Sequence, residues 1–280
     1  PLPDGGFAYG RNLDFAGVGV WDRHPMLLLA EPEPGLKELR HLVIGADGLP
    51  FAGITGVNEA GLTFAVHQHF TSDVSLTGVP MLIIGELVLR KARSIDEAIE
   101  VLRNYRPASL WTFVLSDLQK GEIAAVESSS RVFLVRRAQG KAFAQTNHAM
   151  HADSREREIA SYGTLTNSEF RYDYLLRSLA ETPAKGAESL ARLLAHQEDP
   201  LGRLSAFHDV LKSETIQTAI FEKHRDEPPT LSLSLDPAPS SAGRYARFSI
   251  SKLFEGGPPS FEMRDYVGDR KSTRLNSSHT

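Results

Sequence analysis

The 280-residue chain contains no cysteine. Disulfides and thiolate metal sites are excluded within it. Compartment stays open, because the chain begins at Pro1 rather than Met and any export signal would lie upstream. A long apolar run is also missing. The longest, Val79 to Leu89, is interrupted by Glu86 and falls well short of the roughly 18 uncharged apolar residues that suggest a membrane span. Net charge is −4 with no large block of one sign, which does not favour nucleic-acid binding. No glycine-rich loop is present to cradle phosphate. What is there is an ordinary apolar share of 41% in a chain long enough to bury a substantial core. The length suits one large domain or two small ones.

Both ends read as interrupted. Asp269 to His279 runs Asp-Arg-Lys-Ser-Thr-Arg-Leu-Asn-Ser-Ser-His, which resembles an in-frame translation of a common sequencing adapter. The expectation is one domain over residues 1–268 and an artefact tail over 269–280. At the other end, Pro1-Leu-Pro-Asp-Gly-Gly6 is a turn leading directly into a strand. A turn placed there suggests that a preceding hairpin partner has been cut away.

Along the chain, turn residues punctuate candidate strands at Phe7–Asn12, Met26–Ala30, His41–Ile44, Phe51–Gly56 and Leu62–His69. Two helices follow. Val79–Lys91 is apolar nearly all round and should be buried between layers. Ile95–Asn104 opens on a capping box formed by Ser94 and Glu97. A second strand block covers Trp111–Ser116, Glu122–Glu127, Arg131–Arg136 and Lys141–Thr146, with a hairpin loop ending in Gly121. Helical patterns then span Asp153–Ser161, Ser168–Leu179 and Ala187–Ala195, before strands at Thr215–Phe221 and Leu231–Leu235. Strand blocks alternating with helix pairs suggest stacked layers.

Seven short motifs occur in order: Gly10-Arg-Asn-Leu-Asp-Phe15, Gly56-Val-Asn-Glu-Ala-Gly-Leu62, Gly78-Val-Pro80, Val126-Glu127, Thr146-Asn-His148, Ser168-Glu-Phe-Arg171 and Thr215-Ile-Gln-Thr218. Their order and spacing resemble the acyl-coenzyme A:6-aminopenicillanate acyltransferase family of autoproteolytic N-terminal-nucleophile (Ntn) enzymes, relatives of choloylglycine hydrolases and penicillin V acylases. The resemblance covers about Phe7 to Leu235. It implies an α+β fold, a four-layer αββα sandwich of two antiparallel sheets. It also implies an amide hydrolase or acyltransferase acting on a small-molecule amide or thioester, without a cofactor. Homo-oligomerisation is left open.

In such enzymes the nucleophile is the first residue of the mature chain, usually Cys, and its own α-amine is the general base. The resemblance assigns Arg11 to favour thiolate over ammonium, against a plain surface ion pair as the alternative. Asp14 would orient the α-amine, or else cap a turn. Residues three apart on a regular strand point to opposite faces, so Arg11 and Asp14 can meet only if the chain bends, which Phe15-Ala-Gly17 permits. Asn147 would donate its side-chain amide to the oxyanion, or else end a strand in a turn. Arg171 would pair from a helix with Asp14 or a substrate carboxylate, or else be solvated. Arg11, Asp14 and Asn147 should converge on an empty spot beside the start of the Phe7 strand. The nucleophile itself would lie roughly half a dozen residues before Pro1, by analogy with relatives.

Gln68 stands near a second polar oxyanion position that is usually Asn in relatives, within His67-Gln68-His69. His67 and His69 share one strand face and would line the pocket or, in a metal-dependent hydrolase, bind metal. Trp21 and Phe70 would line an acyl pocket or pack in the core. A further alternative is an Ntn-fold binding protein without catalysis.

Overall fold

The structure, a computed structural model, describes residues 1–46, 54–140, 142–198, 209–235, 238–256 and 259–268. The adapter-like tail and the start of the strand expected at Phe51 lie outside these residues.

Strands β1 (Phe7–Asp14), β2 (Pro25–Ala30), β3 (His41–Ala46), β4 (Thr55–Asn58) and β5 (Leu62–Gln68) come first. Helices α1 (Met81–Lys91) and α2 (Ile95–Asn104) follow, then β6 (Trp111–Asp117), β7 (Glu122–Ser128) and β8 (Phe133–Arg137). After α3 (Ala152–Arg155), α4 (Tyr162–Glu181) and α5 (Ala187–Leu194), the chain returns to strand in β9 (Thr215–Lys223) and β10 (Thr230–Ser234). It continues through β11 (Tyr245–Ser249), α6 (Ile250–Phe254) and β12 (Phe261–Arg264). Two sheets form, both antiparallel: β1-β9-β10-β11-β12, and the meander β2 through β8.

Alternation along the strands builds the layers. On β5, Leu62, Phe64 and Val66 pack with Ile84, Val88 and Leu89 of α1 and with Ala98 and Leu102 of α2. Ala65, on the opposite face, joins Val57 and Val114 against Phe7, Ala219, Phe221 and Leu231 of the other sheet. Beyond that sheet, Leu190 and Leu194 of α5 pack on Ile220 and Tyr245. The order is therefore helix, five-stranded sheet, seven-stranded sheet, helix pair: the αββα sandwich. Among the described residues, no helix is long and apolar enough to cross a membrane.

Several local expectations are met in detail. Ser94 accepts from the Glu97 amide at 3.3 Å, and the Glu97 carboxylate reaches back to the Arg93 amide at 2.8 Å. Between β6 and β7, Asp117 Oδ1 accepts from the amides of Gln119 and Lys120, and Gly121 closes the turn at φ 70°.

Others change. Helix α1 buries only one face, and Ile83 on its other side is 51% exposed. The described part of Lys141–Thr146 is not a strand. There the Arg136 guanidinium takes the Ala144 carbonyl and Gln145 Oε1, in place of a ladder. The helix expected over Asp153–Ser161 stops at Arg155, because Glu158 turns inward to His69 and the Ile159 amide bonds the Phe70 carbonyl. Helix α4 starts six residues before the expected Ser168, where Ser161 accepts from the Thr164 amide. The elements after Ser234 carried no expectation in the sequence reading.

Candidate active site

Among the described residues β1 is an edge strand, paired on one side only, with β9. Its Arg11 points between the sheets and is 5% exposed. Nη1 donates to the Ile54 carbonyl at 2.9 Å and to Thr55 Oγ1 at 2.8 Å. Burial pulls the guanidinium pKa down, and the neighbouring Tyr9 and Asp14 oppose this. Arg11 is thus a fixed cation rather than a surface ion pair.

The bend between Arg11 and Asp14 comes from the partner strand, not from Phe15-Ala-Gly17. β1 and β9 stay in register from Phe7↔Lys223 to Leu13↔Gln217, and then Asp14 faces Thr215, leaving Ile216 as the extra residue of a bulge. Such a bulge sharpens local twist. Thr215 Oγ1 donates to Asp14 Oδ1 at 2.6 Å. Burial pushes the Asp14 carboxyl pKa up, while the Arg171 charge and the Thr215 bond pull it down.

Asn147 lies in the irregular stretch before α3, held from three directions. Its Nδ2 donates to the Gln68 carbonyl at 3.2 Å, its Oδ1 accepts from Arg171 Nη2 at 3.0 Å, and its backbone amide donates to Ser168 Oγ at 2.8 Å. Arg171 Nε also bonds Asn167 Oδ1, one helical turn earlier. A guanidinium only donates and a backbone carbonyl only accepts, so the Asn147 amide has one allowed orientation. One of its two Nδ2 hydrogens is left over.

Arg11, Asp14, His67, Gln68, Asn147 and Arg171 all line one cavity of about 370 Å³. They gather toward the far end of β1 rather than its start. The rest of the wall is largely apolar, with Leu175, Leu179 and Leu193 from the helices, Tyr9 from β1 and Phe143 from the stretch after β8. His67 stands near both arginines, and its pKa falls well below the ordinary histidine value through burial and the charges of Arg11, His69 and Arg171.

Three candidates from the sequence do not line the cavity. His69 is buried, with Nδ1 3.1 Å from Glu158 and Nε2 2.7 Å from Thr112. Thr112 is the ladder partner of His67, so the two histidines stay on one side of the sheet although only His67 lines the cavity. Trp21 packs its ring 4.7 Å from Phe15, and it is Phe15 that reaches the cavity. Phe70 is 52% exposed. Among the described residues no group of three His, Cys, Asp or Glu is placed to hold a metal ion.

Sequence reasoning missed the roles of Thr55, Ser168 and Thr215 as holders of Arg11, Asn147 and Asp14. The last two fall inside quoted motifs, but nothing in their spacing named their partners. Tyr9 was also missed. Its buried hydroxyl has no hydrogen-bond partner among the described residues, and burial raises its pKa to about 12.

No protein of curated function matches the chain by sequence. Among solved structures, penicillin V acylase from Agrobacterium tumefaciens is similar at a TM-score of 0.51 and 14% identity, over 92% of this chain and 87% of that one. A mutant conjugated bile acid hydrolase from Clostridium perfringens is similar at 0.51 and 14% identity, over 95% of each chain. At these identities the likeness is one of fold. The profile of the acyl-coenzyme A:6-aminopenicillanic acid acyl-transferase family matches residues 2–233, and the chain therefore belongs to that family of Ntn-type amide hydrolases and acyltransferases.

Proposed function

We propose that this chain supplies the support shell of an enzyme that cleaves small, non-peptide or short-peptide C–N bonds through an N-terminal cysteine acyl-enzyme. The observation that carries the reading is the convergence of Arg11, Asp14, Gln68, Asn147 and Arg171 on one cavity. In the reaction a thiolate attacks the amide carbonyl, and the α-amine takes the thiol proton and passes it to the departing amine. The C–N bond breaks, and water or an amine then attacks the thioester. Asn147 donates its spare Nδ2 hydrogen to the oxyanion, Arg11 supports the thiolate, and Asp14 holds the α-amine. The apolar wall receives the acyl group, and Gln68 and His67 border the reacting carbonyl.

The chain has no cysteine, so this reading places the nucleophile in a segment joined ahead of Pro1. Turn geometry supports that placement. Leu2 N donates to the Gly6 carbonyl at 2.8 Å, so the chain doubles back before β1. A strand continuing that hairpin along the free edge of β1 brings a residue roughly six positions before Pro1 opposite Leu13, between Arg11 and Asp14. The chain as it stands is then inactive.

The lack of cysteine also favours a second reading, an Ntn-fold binding protein. The upstream reading frame separates the two. A cysteine codon a few residues ahead of Pro1, with amidase or acyl-transfer activity once that segment is restored and processed, supports the enzyme. An intact start codon with no cysteine before Pro1 sinks it.

A further inference from the structure

Thr146, Asn147 and His148 form one of the quoted motifs, and the first two line the cavity while His148 does not. The Thr146 hydroxyl and the His148 ring join a buried network with Ser168 of α4. Ser168 is fully buried, and Thr146 and His148 are 2% and 3% exposed. Ser168 Oγ lies 2.8 Å from the Asn147 amide nitrogen, 3.0 Å from His148 Nδ1 and 3.0 Å from Thr146 Oγ1. Thr146 Oγ1 in turn donates to the Ser168 carbonyl at 2.9 Å.

With His148 in its Nδ1–H tautomer, every hydrogen of this network finds an acceptor. A hydroxyl carries one hydrogen and accepts two. Thr146 spends its hydrogen on the Ser168 carbonyl, so Thr146 Oγ1 is the acceptor for Ser168. With its hydrogen committed there, Ser168 Oγ accepts from both the Asn147 amide and His148 Nδ1–H. His148 Nδ1 also lies 3.2 Å from Thr146 Oγ1, so its hydrogen is shared between the two hydroxyl oxygens. The His148 ring is held further by the edge of Tyr172, at 5.5 Å and 84°. Asn167, Ser168, Arg171 and Tyr172 share one side of α4, as residues three and four apart must. That side grips the 146–148 segment, which has no sheet ladder of its own.

We propose that Ser168, with Thr146 and His148 behind it, is the positioning residue for the oxyanion donor. Ser168 fixes the Asn147 backbone while Arg171 and the Gln68 carbonyl fix its side chain. Without that anchor, the spare Nδ2 hydrogen loses its aim although the side-chain bonds remain. The proposal rests on the reading of Asn147 as oxyanion donor.

The test is a double-mutant cycle in the enzyme carrying its nucleophile. Ser168→Ala is expected to lower kcat about 10- to 100-fold with KM within about twofold, because a misplacement of about 1 Å costs that much. In an Asn147→Ala background, Ser168→Ala should add nothing, since it acts only through Asn147. His148→Asn keeps a donor near the Nδ1 position and should retain most of kcat, whereas His148→Leu should not. Multiplicative losses in the double variant, or His148→Asn as damaging as His148→Leu, would overturn the proposal. If Asn147→Ala is itself harmless, the reading of Asn147 fails and the proposal falls with it. A second measurement needs no activity: hydrogen exchange at the Asn147 amide in the 280-residue chain. It should speed up in Ser168→Ala while the β6 and β7 amides stay protected, and unchanged exchange refutes the anchor.

Discussion

Arg171 Nη2 donates to Asn147 Oδ1 at 3.0 Å, and together with the Gln68 carbonyl on Nδ2 this bond fixes the aim of the Asn147 amide. Removing the guanidinium leaves the Gln68 carbonyl as its single side-chain anchor, so the spare Nδ2 hydrogen loses its aim at a developing oxyanion. In the enzyme carrying its nucleophile, Arg171→Leu should therefore reduce kcat by about 10²- to 10³-fold, the range for loss of one oxyanion donor. Steady-state kinetics decides it, and a KM-only effect would place Arg171 in substrate binding instead.

Arg11 and Asp14 carry the remaining charge of the site. Arg11→Ala or Asp14→Ala should abolish most turnover in the restored enzyme, and near-wild-type rates in either variant refute the roles given to them. Arg11→Met also has a consequence for folding that needs no catalysis. It leaves the Ile54 carbonyl and Thr55 Oγ1 without their shared donor. Urea unfolding should show a loss of about 1–3 kcal/mol.

Asp14 and His67 pull stability in opposite directions with pH. The Asp14 pKa is raised in the fold, so its favourable contribution belongs to acid conditions and disappears as pH rises through the folded value. Asp14→Asn should accordingly raise the melting temperature at pH about 7 by a few degrees, a cost of function removed. A lower melting temperature would mean that Arg171 and Thr215 outweigh burial.

His67 is lowered, and so is His148, both chiefly by burial. Their contribution is complete above the unfolded histidine value of 6.5 and is lost as pH falls through the folded values, because only the unfolded chain takes up protons there. His67→Asn should flatten the decline in melting temperature between about pH 7 and 5 relative to the parent. An equally steep decline in the variant would show that His67 is protonated in the fold.

Two motif glycines, Gly10 and Gly78, and Gly45 of β3 predict a graded series. A Cβ on Gly78 would strike the Ala108 backbone, whereas one on Gly10 would meet the flexible Leu194 Cδ1 at 3.1 Å. One on Gly45 meets nothing within 4 Å. The order of destabilisation on substitution by alanine should be Gly78, then Gly10, with Gly45 near neutral. Thermal melting of the three variants reads it directly.

Those glycines also explain what was legible in the sequence. Gly10 lets α5 approach β1, and Asn12 bonds the Leu194 carbonyl at the end of that helix. Asn58 caps α1 through the Leu89 and Ala92 carbonyls. Most motif letters thus record how layers touch, which is why their order carried the fold so well. The site was harder. His69 is drawn from the cavity by Glu158, a partner far along the chain, and the stretch ahead of Asn147 looked like a strand because the Arg136 guanidinium takes its acceptors in place of a ladder. Side chains that replace a ladder leave no periodic trace.

The bulge at Ile216 has a consequence for mutation by length rather than by letter. Deleting that single residue would leave Thr215 across from Asp14 and keep every named site residue unchanged. It would also straighten the ladder that turns Asp14 toward the cavity. A chain shorter by one at this point would pass any inspection of its residues and still lose the geometry of its carboxylate. Here the arrangement around the cavity is inherited partly as a count.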